Sequence, residues 1–295
     1  MNTAEIKPTS PICVRESEVE SKDIGARIRS GYRSKDLGIF DAEKGIAARL
    51  HSYRPDGEFY SPRHRHTSTQ VRYIVSGTMN YGKETYSAGD CTILGDGIAY
   101  GPLQPGPGPL PHFFQTVFTG AADIPNLSPE AMNRSQAELA EVGTFEKGVY
   151  RPTGGRPMDS GLAVQEHALK RTVTYPEPLT SSYLVVHTPL LRWRNYAPGV
   201  KVKDIAYLFS TGPNVKLVQL ERGARLPGGI VDFQQARYVV DGTVQWKGDE
   251  FDIASMMFYP PGMEYPETRG SSNTSTLLII QWTNVGCKPV PFDLL

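Results

Sequence analysis

Residues 62 to 82 read Pro62-Arg63-His64-Arg65-His66-Thr67-Ser68-Thr69-Gln70-Val71-Arg72-Tyr73-Ile74-Val75-Ser76-Gly77-Thr78-Met79-Asn80-Tyr81-Gly82. In extended chain successive side chains alternate faces, so His64 and His66 point the same way, and Gln70, Arg72 and Ile74 share a face of the following strand. Two imidazoles, a carboxamide and a guanidinium then converge. Each such group costs a few kcal/mol when buried without a partner, so a strand pair lining an ordinary apolar core would not carry four of them inward. The pattern predicts a polar site on the inner face.

The same pattern returns once. Gln70, Arg72, Tyr73, Gly77, Thr78, Gly97 and Tyr100 reappear as Gln235, Arg237, Tyr238, Gly242, Thr243, Gly262 and Tyr265, all at one offset (235 − 70 = 165; 265 − 100 = 165). Pro62 and Pro227 share it, and Tyr81 and Tyr86 fall opposite Trp246 and Phe251. A constant offset from Gln70 to Tyr100 means that the strands and turns between them keep their lengths. His64 and His66 are the exceptions, replaced by Gly229 and Val231. One copy keeps the imidazole pair and the other has none.

With 31 Lys+Arg against 31 Asp+Glu in 295 residues, the chain builds no global field to draw nucleic acid or an anionic membrane. A small-molecule partner is the expectation. Gly (29), Pro (24) and Tyr (15) are plentiful and helix-forming runs are scarce, which is the composition of many short strands joined by turns. The length suits one large or two medium domains, and the repeat favours two. Cys13, Cys91 and Cys287 match neither a disulfide framework nor a metal knuckle, which fits a reducing compartment. The first residues are polar, and no apolar run approaches the roughly 18 residues that span a bilayer, so a cytoplasmic protein is expected.

Residues 1 to 25 read as an arm that either frays or packs on a neighbouring subunit. Short apolar stretches from Ile28 to Tyr53 read as lead-in strands, and Arg54-Pro55-Asp56-Gly57 as a turn. The proline-rich run from Gly101 to Pro111 cannot form a ladder, and His112 to Phe118 reads as a closing strand. Ser128-Pro129-Glu130 combines an N-cap, a proline at the first helical position and an acid in the first turn, predicting a helix that Gly143 stops. A second helix is predicted over roughly Asp159 to Arg171.

Gly57, His64, His66, Gln70 and Gly77 stand at the spacing of the first motif of the cupin superfamily, which the chain resembles. The stretch from Gly89 to Tyr100 has the spacing of the second motif. Three positions depart: Gln70 stands where the family has glutamate, Gly95 where it has proline, and Tyr100 where it has the third histidine. With the repeat, the resemblance implies an all-β bicupin, two tandem antiparallel jelly-roll barrels with a short helical linker. The expected divisions are an N-terminal arm with lead-in strands at 1–45, a barrel with the active pocket at 46–120, a linker at 121–195 and a degenerate barrel at 196–295.

Neutral imidazoles at i and i+2 bind a divalent first-row ion side by side, so His64 and His66 are the expected ligands; the alternative is a hydrogen-bonded pair on a half-exposed face. Gln70 is either a carbonyl ligand, which leaves more charge on the ion than glutamate would, or a structural residue, since Gln235 persists without histidines. Arg72 either anchors a substrate carboxylate or enolate or ties strands together, as its twin Arg237 suggests. Tyr100 is a phenolate ligand, a general acid or base, or an aromatic wall. His112 is the expected source of a third imidazole if its side of the closing strand faces inward, and His51 is a further candidate. His167 and His187 read as surface residues.

The resemblance thus implies one divalent transition metal per chain (Fe, Mn, Ni or Zn), held by His64, His66, Gln70 and His112, with Tyr100 and Arg72 as catalytic residues. The activity it implies is a metal-dependent oxidoreductase such as a dioxygenase, or a lyase, acting on a small oxygenated organic or phenolic substrate beside Phe113, Phe114 and Tyr100. The alternatives are a metal-free isomerase, cyclase or hydrolase with a histidine base, and a non-catalytic binding protein. A homodimer is the assembly left open.

Overall fold

The computed structural model describes residues 11–23, 31–41, 46–56, 59–61, 63–118, 127–146, 148–208, 212–283 and 295. Gly57, Pro62 and Cys287 lie outside the described residues. The chain divides into two compact units, residues 21–185 and residues 1–20 with 186–295. These limits differ from barrels at 46–120 and 196–295, because segments expected as arm and linker are built into the sheets.

Seven strands form one sheet in the order Leu184–His187, Asp90–Leu94, Gln70–Ser76, His112–Val117, Ile46–Tyr53, Tyr32–Asp41, Lys22–Asp23, the first of them running across the limit at residue 185 and the other six pairing antiparallel within the first unit. A three-stranded sheet holds Glu84–Ser87, Thr78–Tyr81 and Leu103–Pro105. Tyr53, Ile74, Leu94 and Phe113 of the larger sheet and Met79, Tyr81, Tyr86 and Leu103 of the smaller one belong to one buried cluster. The two sheets therefore close face to face, as a jelly roll does.

Directly paired residues share a face, so the registers identify the inner side chains. Gln70 lies opposite Leu94 and Val117, Arg72 opposite Thr92 and Gln115, and Ile74 opposite Phe113. Beyond them Phe113 and Gln115 face His51 and Arg49, which in turn face Ser34 and Asp36. Tyr73 and Phe114 pair on the reverse face, and both are buried there.

The second unit has a seven-stranded sheet in the order Ile12–Val14, Met256–Tyr259, Gln234–Asp241, Thr274–Trp282, Asn214–Glu221, Val200–Tyr207, Arg194–Ala197. Residues 12–14, expected as a frayed or intermolecular arm, pair instead with Met256, Met257 and Phe258 of their own chain. Their three-residue apolar run Ile12-Cys13-Val14 offers a strand to an open sheet edge. Backbone contacts repeat as the sequence does: Gly89 N donates to Ile74 O at 2.8 Å and Ala254 N to Val239 O at 2.9 Å, while Gly97 N donates to His66 O at 2.8 Å and Gly262 N to Val231 O at 2.7 Å.

The helices form where their caps lie. Ser128 Oγ accepts from Ala131 N at 3.2 Å ahead of the helix Pro129–Ala140, and Asp159 Oδ1 accepts from Leu162 N at 2.8 Å ahead of Ser160–Leu169. No helix among the described residues is long and apolar enough to cross a membrane. Cys13 and Cys91 are free thiols, and burial pushes each up to about 12, away from reactive thiolate.

Gly97 and Gly262 both hold positive φ, at 76° and 73°. A Cβ on Gly97 would run into the Pro176 carbonyl, whereas one on Gly262 meets nothing within 4 Å. Gly262→Ala should therefore cost only the left-handed penalty of about 1–2 kcal/mol, and Gly97→Ala clearly more because backbone must move. Urea denaturation of the matched pair checks this, and equal losses would contradict the contact.

Candidate functional site

His64 and His66 are held by the chain that leads to Tyr100. His64 N donates to Tyr100 O at 3.1 Å, Tyr100 N donates back to His64 O at 3.0 Å, and Gly97 N caps His66 O. Alternation turns Arg63 and Arg65 to solvent and leaves both histidines half-buried. The segment is tied by these single reciprocal bonds rather than by the regular strand expected from the sequence.

The side chains form one connected polar group. His64 Nε2 lies 3.1 Å from His66 Nε2, with the rings nearly perpendicular, and His66 Nε2 lies 2.7 Å from Tyr100 Oη. His64 Nδ1 lies 3.3 Å from Ser61 Oγ. Arg72 Nη2 donates to Tyr100 Oη at 2.6 Å and to Gln70 Oε1 at 2.8 Å, and Nη1 donates to Tyr81 Oη at 3.4 Å. Gln70 and Arg72 sit two residues apart on one strand face, which places the carboxamide beside the guanidinium. Burial alone would lower the Arg72 pKa, but the phenols of Tyr100 and Tyr81 raise it overall, so the guanidinium stays charged.

His112 is not in this group. It is exposed, with Nδ1 3.0 Å from Ser76 Oγ. The pairing with Gln70–Ser76 shifts between His112 and Phe113, and the strand then sends Phe113 and Gln115 inward. Phe114, expected beside the substrate, lies on the reverse face with Tyr73. Alternation limited the choice to two phases, and only pairing selected one. His167 lies beside Glu138 at 3.5 Å, and His187 is exposed.

His51 does face inward. Its ring stacks on Tyr32, with centroids 5.0 Å apart and planes 12° apart, and lies 4.8 Å from Phe113. Burial lowers its pKa well below 6.5, and the positive charges of Arg49 and Arg72 lower it further. Both ring nitrogens lack a hydrogen-bond partner among the described residues, as does Ser34 Oγ across the strand pair.

The second barrel repeats the polar strand without the histidines. Arg237 Nε donates to Gln235 Oε1 at 2.5 Å and Nη1 to Thr268 Oγ1 at 2.8 Å, with the guanidinium 5.2 Å from the centroids of both Tyr259 and Tyr265. Val231, in the place of His66, is buried among apolar neighbours.

Among the described residues no group of three or more His, Cys, Asp or Glu side chains is placed to hold a metal ion. The donors the first barrel offers are two imidazoles, a phenol and a carboxamide. Two ligand atoms each about 2.1 Å from an ion, at right angles, stand about 3.0 Å apart. The 3.1 Å and 2.7 Å spacings around His66 Nε2 are close to that value, so the three donors fit a divalent first-row ion in kind, and His66 fits in spacing with each of its two neighbours.

No sequence-family model matches the chain, and no curated protein matches it by sequence. Solved structures do match. A protein of Nostoc punctiforme with an ascribed dioxygenase activity superposes with a TM-score of 0.65 at 11% identity, over 96% of this chain and 88% of its own. Streptomyces albus HEPD, solved with 2-hydroxyethylphosphonate and Fe(II), gives 0.58 at 15% identity, over 95% of this chain and 77% of its own. Oxalate decarboxylase from Bacillus subtilis gives 0.57 at 11% identity, over 96% and 78%. At these identities the likeness is one of fold, and the fold is that of the bicupins.

The lowered His51 pKa has a measurable sign. A histidine kept neutral when folded binds its proton more readily when unfolded, so its contribution to stability is complete above about pH 6.5. As pH falls below that value, stability is lost by up to about 1.4 kcal/mol per pH unit until the folded pKa is reached. Urea titrations from pH 7 to pH 5 should show this slope, reduced in His51→Phe; an identical slope in the variant would assign it to other groups.

Proposed function

We propose that the N-terminal barrel is a metal-dependent enzyme site of the oxygenase or lyase type, acting on a small oxygenated organic or phenolic anion. The observation that carries this reading is the set of donor atoms around His66 Nε2: His64 Nε2 at 3.1 Å and Tyr100 Oη at 2.7 Å. His64 and His66 would hold the ion with Tyr100, and Gln70 is the remaining donor beside them. The bound ion would supply Lewis acidity, polarising oxygen atoms of the substrate.

The residues around it have separable roles. Ser61 Oγ, 3.3 Å from His64 Nδ1, can accept from an Nδ1–H, the tautomer in which Nε2 keeps its lone pair for an ion. Tyr100 as phenolate provides negative charge in a donor set that has no carboxylate, and the guanidinium donating to it at 2.6 Å favours that ionised form. No carboxylate hydrogen-bonds to Arg72: Gln70 and Tyr81 are uncharged, only Tyr100 as phenolate would offset the guanidinium, and its Nε has no partner among the described residues, so that edge is open to a substrate anion. A neutral Gln70 in place of a carboxylate leaves that positive field undiminished.

The same 2.7 Å contact supports a second, metal-free reading, in which Tyr100 is the proton donor, His66 its relay and Arg72 the group that eases ionisation. Metal analysis separates the two. Protein purified without chelator, or titrated with Fe(II), Mn(II), Ni(II) and Zn(II), should hold about one ion per chain. His64→Ala and His66→Ala should each abolish that binding while lowering stability by no more than about 1–2 kcal/mol, since both rings are half-buried. No uptake by the wild type would leave the acid–base reading, and two ions per chain would contradict a single site.

Gln70→Glu adds negative charge beside the ion. It should tighten metal binding and weaken binding of an anionic substrate, read as opposite shifts in metal Kd and KM. Unchanged metal affinity would remove Gln70 from the coordination sphere.

A further inference from the structure

Strand register aligns the two barrels more finely than the sequence offset does. Gln115 and Ile279 lie opposite Arg72 and Arg237; Arg49 and Lys216 lie opposite those; Asp36 and Asp204 lie opposite those in turn. Both barrels thus contain an inner ion pair, Arg49 Nε to Asp36 Oδ1 at 2.7 Å and Lys216 Nζ to Asp204 Oδ1 at 3.2 Å. Both also contain the glutamine–arginine pair with a tyrosine beside it. What is common to a barrel with histidines and one without serves the construction of the barrel whatever else it does, so the differences between the two single out the pocket of the first.

Two residues further along the same strands the barrels part. His51 and its cross-strand neighbour Ser34 correspond to Val218 and its neighbour Val202, both fully buried. The site histidines undergo the same kind of change, to Gly229 and Val231. A valine pair packs this position without polar atoms. The first barrel instead keeps three buried polar atoms there, His51 Nδ1, His51 Nε2 and Ser34 Oγ, with no hydrogen-bond partner among the described residues. Unmet hydrogen bonds of this kind are destabilising, and they persist where a partner arrives from outside the chain.

We infer that His51 and Ser34 form an inner subsite of the N-terminal barrel that binds a hydroxyl or carbonyl oxygen of a planar, hydroxylated aromatic or enolic anion. This rests on the proposal that this barrel is the substrate-binding one. A neutral imidazole carries one donor and one acceptor nitrogen, and a serine hydroxyl carries both functions, so the pair complements a hydroxyl group. The Arg72 guanidinium lies 5.6 Å from the Phe113 centroid, and the His51 ring lies 4.8 Å from that same ring, which puts the positive charge and the uncharged polar pair along one aromatic wall. Tyr32 stacks on His51 at 5.0 Å and on Phe59 at 5.2 Å, so the surroundings are ring faces suited to a flat molecule. Tyr32, which covers one face of the His51 ring, is only partly buried and is the part of this wall nearest solvent.

The test uses 4-nitrocatechol, whose absorbance reports binding, with wild type, His51→Phe and Ser34→Ala, each also measured for metal content and thermal midpoint. Wild type should bind the probe; His51→Phe should weaken it about tenfold or more and Ser34→Ala several-fold, with bound metal unchanged and the midpoint not lowered. Ser34→Ala removes a single oxygen and keeps the test decisive if the ring exchange disturbs folding. Equal affinity in wild type and both variants, or no binding by wild type, overturns the subsite. Loss of metal in His51→Phe overturns it too, making His51 a ligand instead. A wild type that binds no metal but binds the probe in a His51-dependent way supports the subsite and removes the metal reading. One ion per chain with binding indifferent to His51 and Ser34 does the reverse.

Discussion

A guanidinium inside a β-barrel, with no carboxylate among its hydrogen-bond partners, is the constraint on which the first unit depends. Arg72 is almost fully buried, and an arginine cannot give up its charge as a buried lysine can. The strand meets this need locally: Gln70, two residues back on the same face, supplies one carbonyl oxygen, and Tyr100 and Tyr81 supply phenol oxygens. Those partners must all come to the inner face, which ties the strand Gln70–Ser76 to the turn before Tyr100 and to the smaller sheet. The second barrel solves the same problem with Gln235 and Thr268.

Repetition of this arrangement changes what the site residues mean. Had Arg72 been seen in one barrel alone, its place beside two imidazoles would make it simply a catalytic arginine. With Arg237 in a barrel without histidines, the guanidinium is first a strut. The first barrel sets imidazoles against the strut, so that Tyr100 contacts both Arg72 at 2.6 Å and His66 at 2.7 Å. A phenol between a fixed cation and an imidazole is tuned by both, and in the first barrel a framework present in each barrel is joined to the imidazole pair.

Duplication also reached further than the sequence offset could show. Asp36 and Asp204, and Arg49 and Lys216, stand at offsets of 168 and 167 (204 − 36 = 168; 216 − 49 = 167), not 165, and the basic residue changes type. In both barrels the pairing shifts one residue after the aspartate, between Asp36 and Gly38 and between Asp204 and Ala206. These matched bulges identify the strands as equivalent where residue identity does not. Connections between strands have changed length, and a constant spacing is lost wherever that happens.

The sequence by itself determined the strand-rich class, the tandem repeat, both helices and the Ser128 cap of the first, and the inward convergence of His64, His66, Gln70 and Arg72. All of these follow from local rules: alternation along one strand, capping within one turn, and spacing carried unchanged between two copies. Tertiary structure decided what pairs across strands. It moved residues 12–14 into the sheet of the second unit, turned Phe113 rather than His112 inward, and placed His51 and Ser34 side by side. The physical reason is that a strand's two faces differ by a single residue of register, and register is set by hydrogen bonds to a neighbour distant in the chain. His112 and His51 looked alike as isolated imidazoles near a motif, and only the partner strands, with one bulge between His112 and Phe113, sent one to solvent and the other into the barrel.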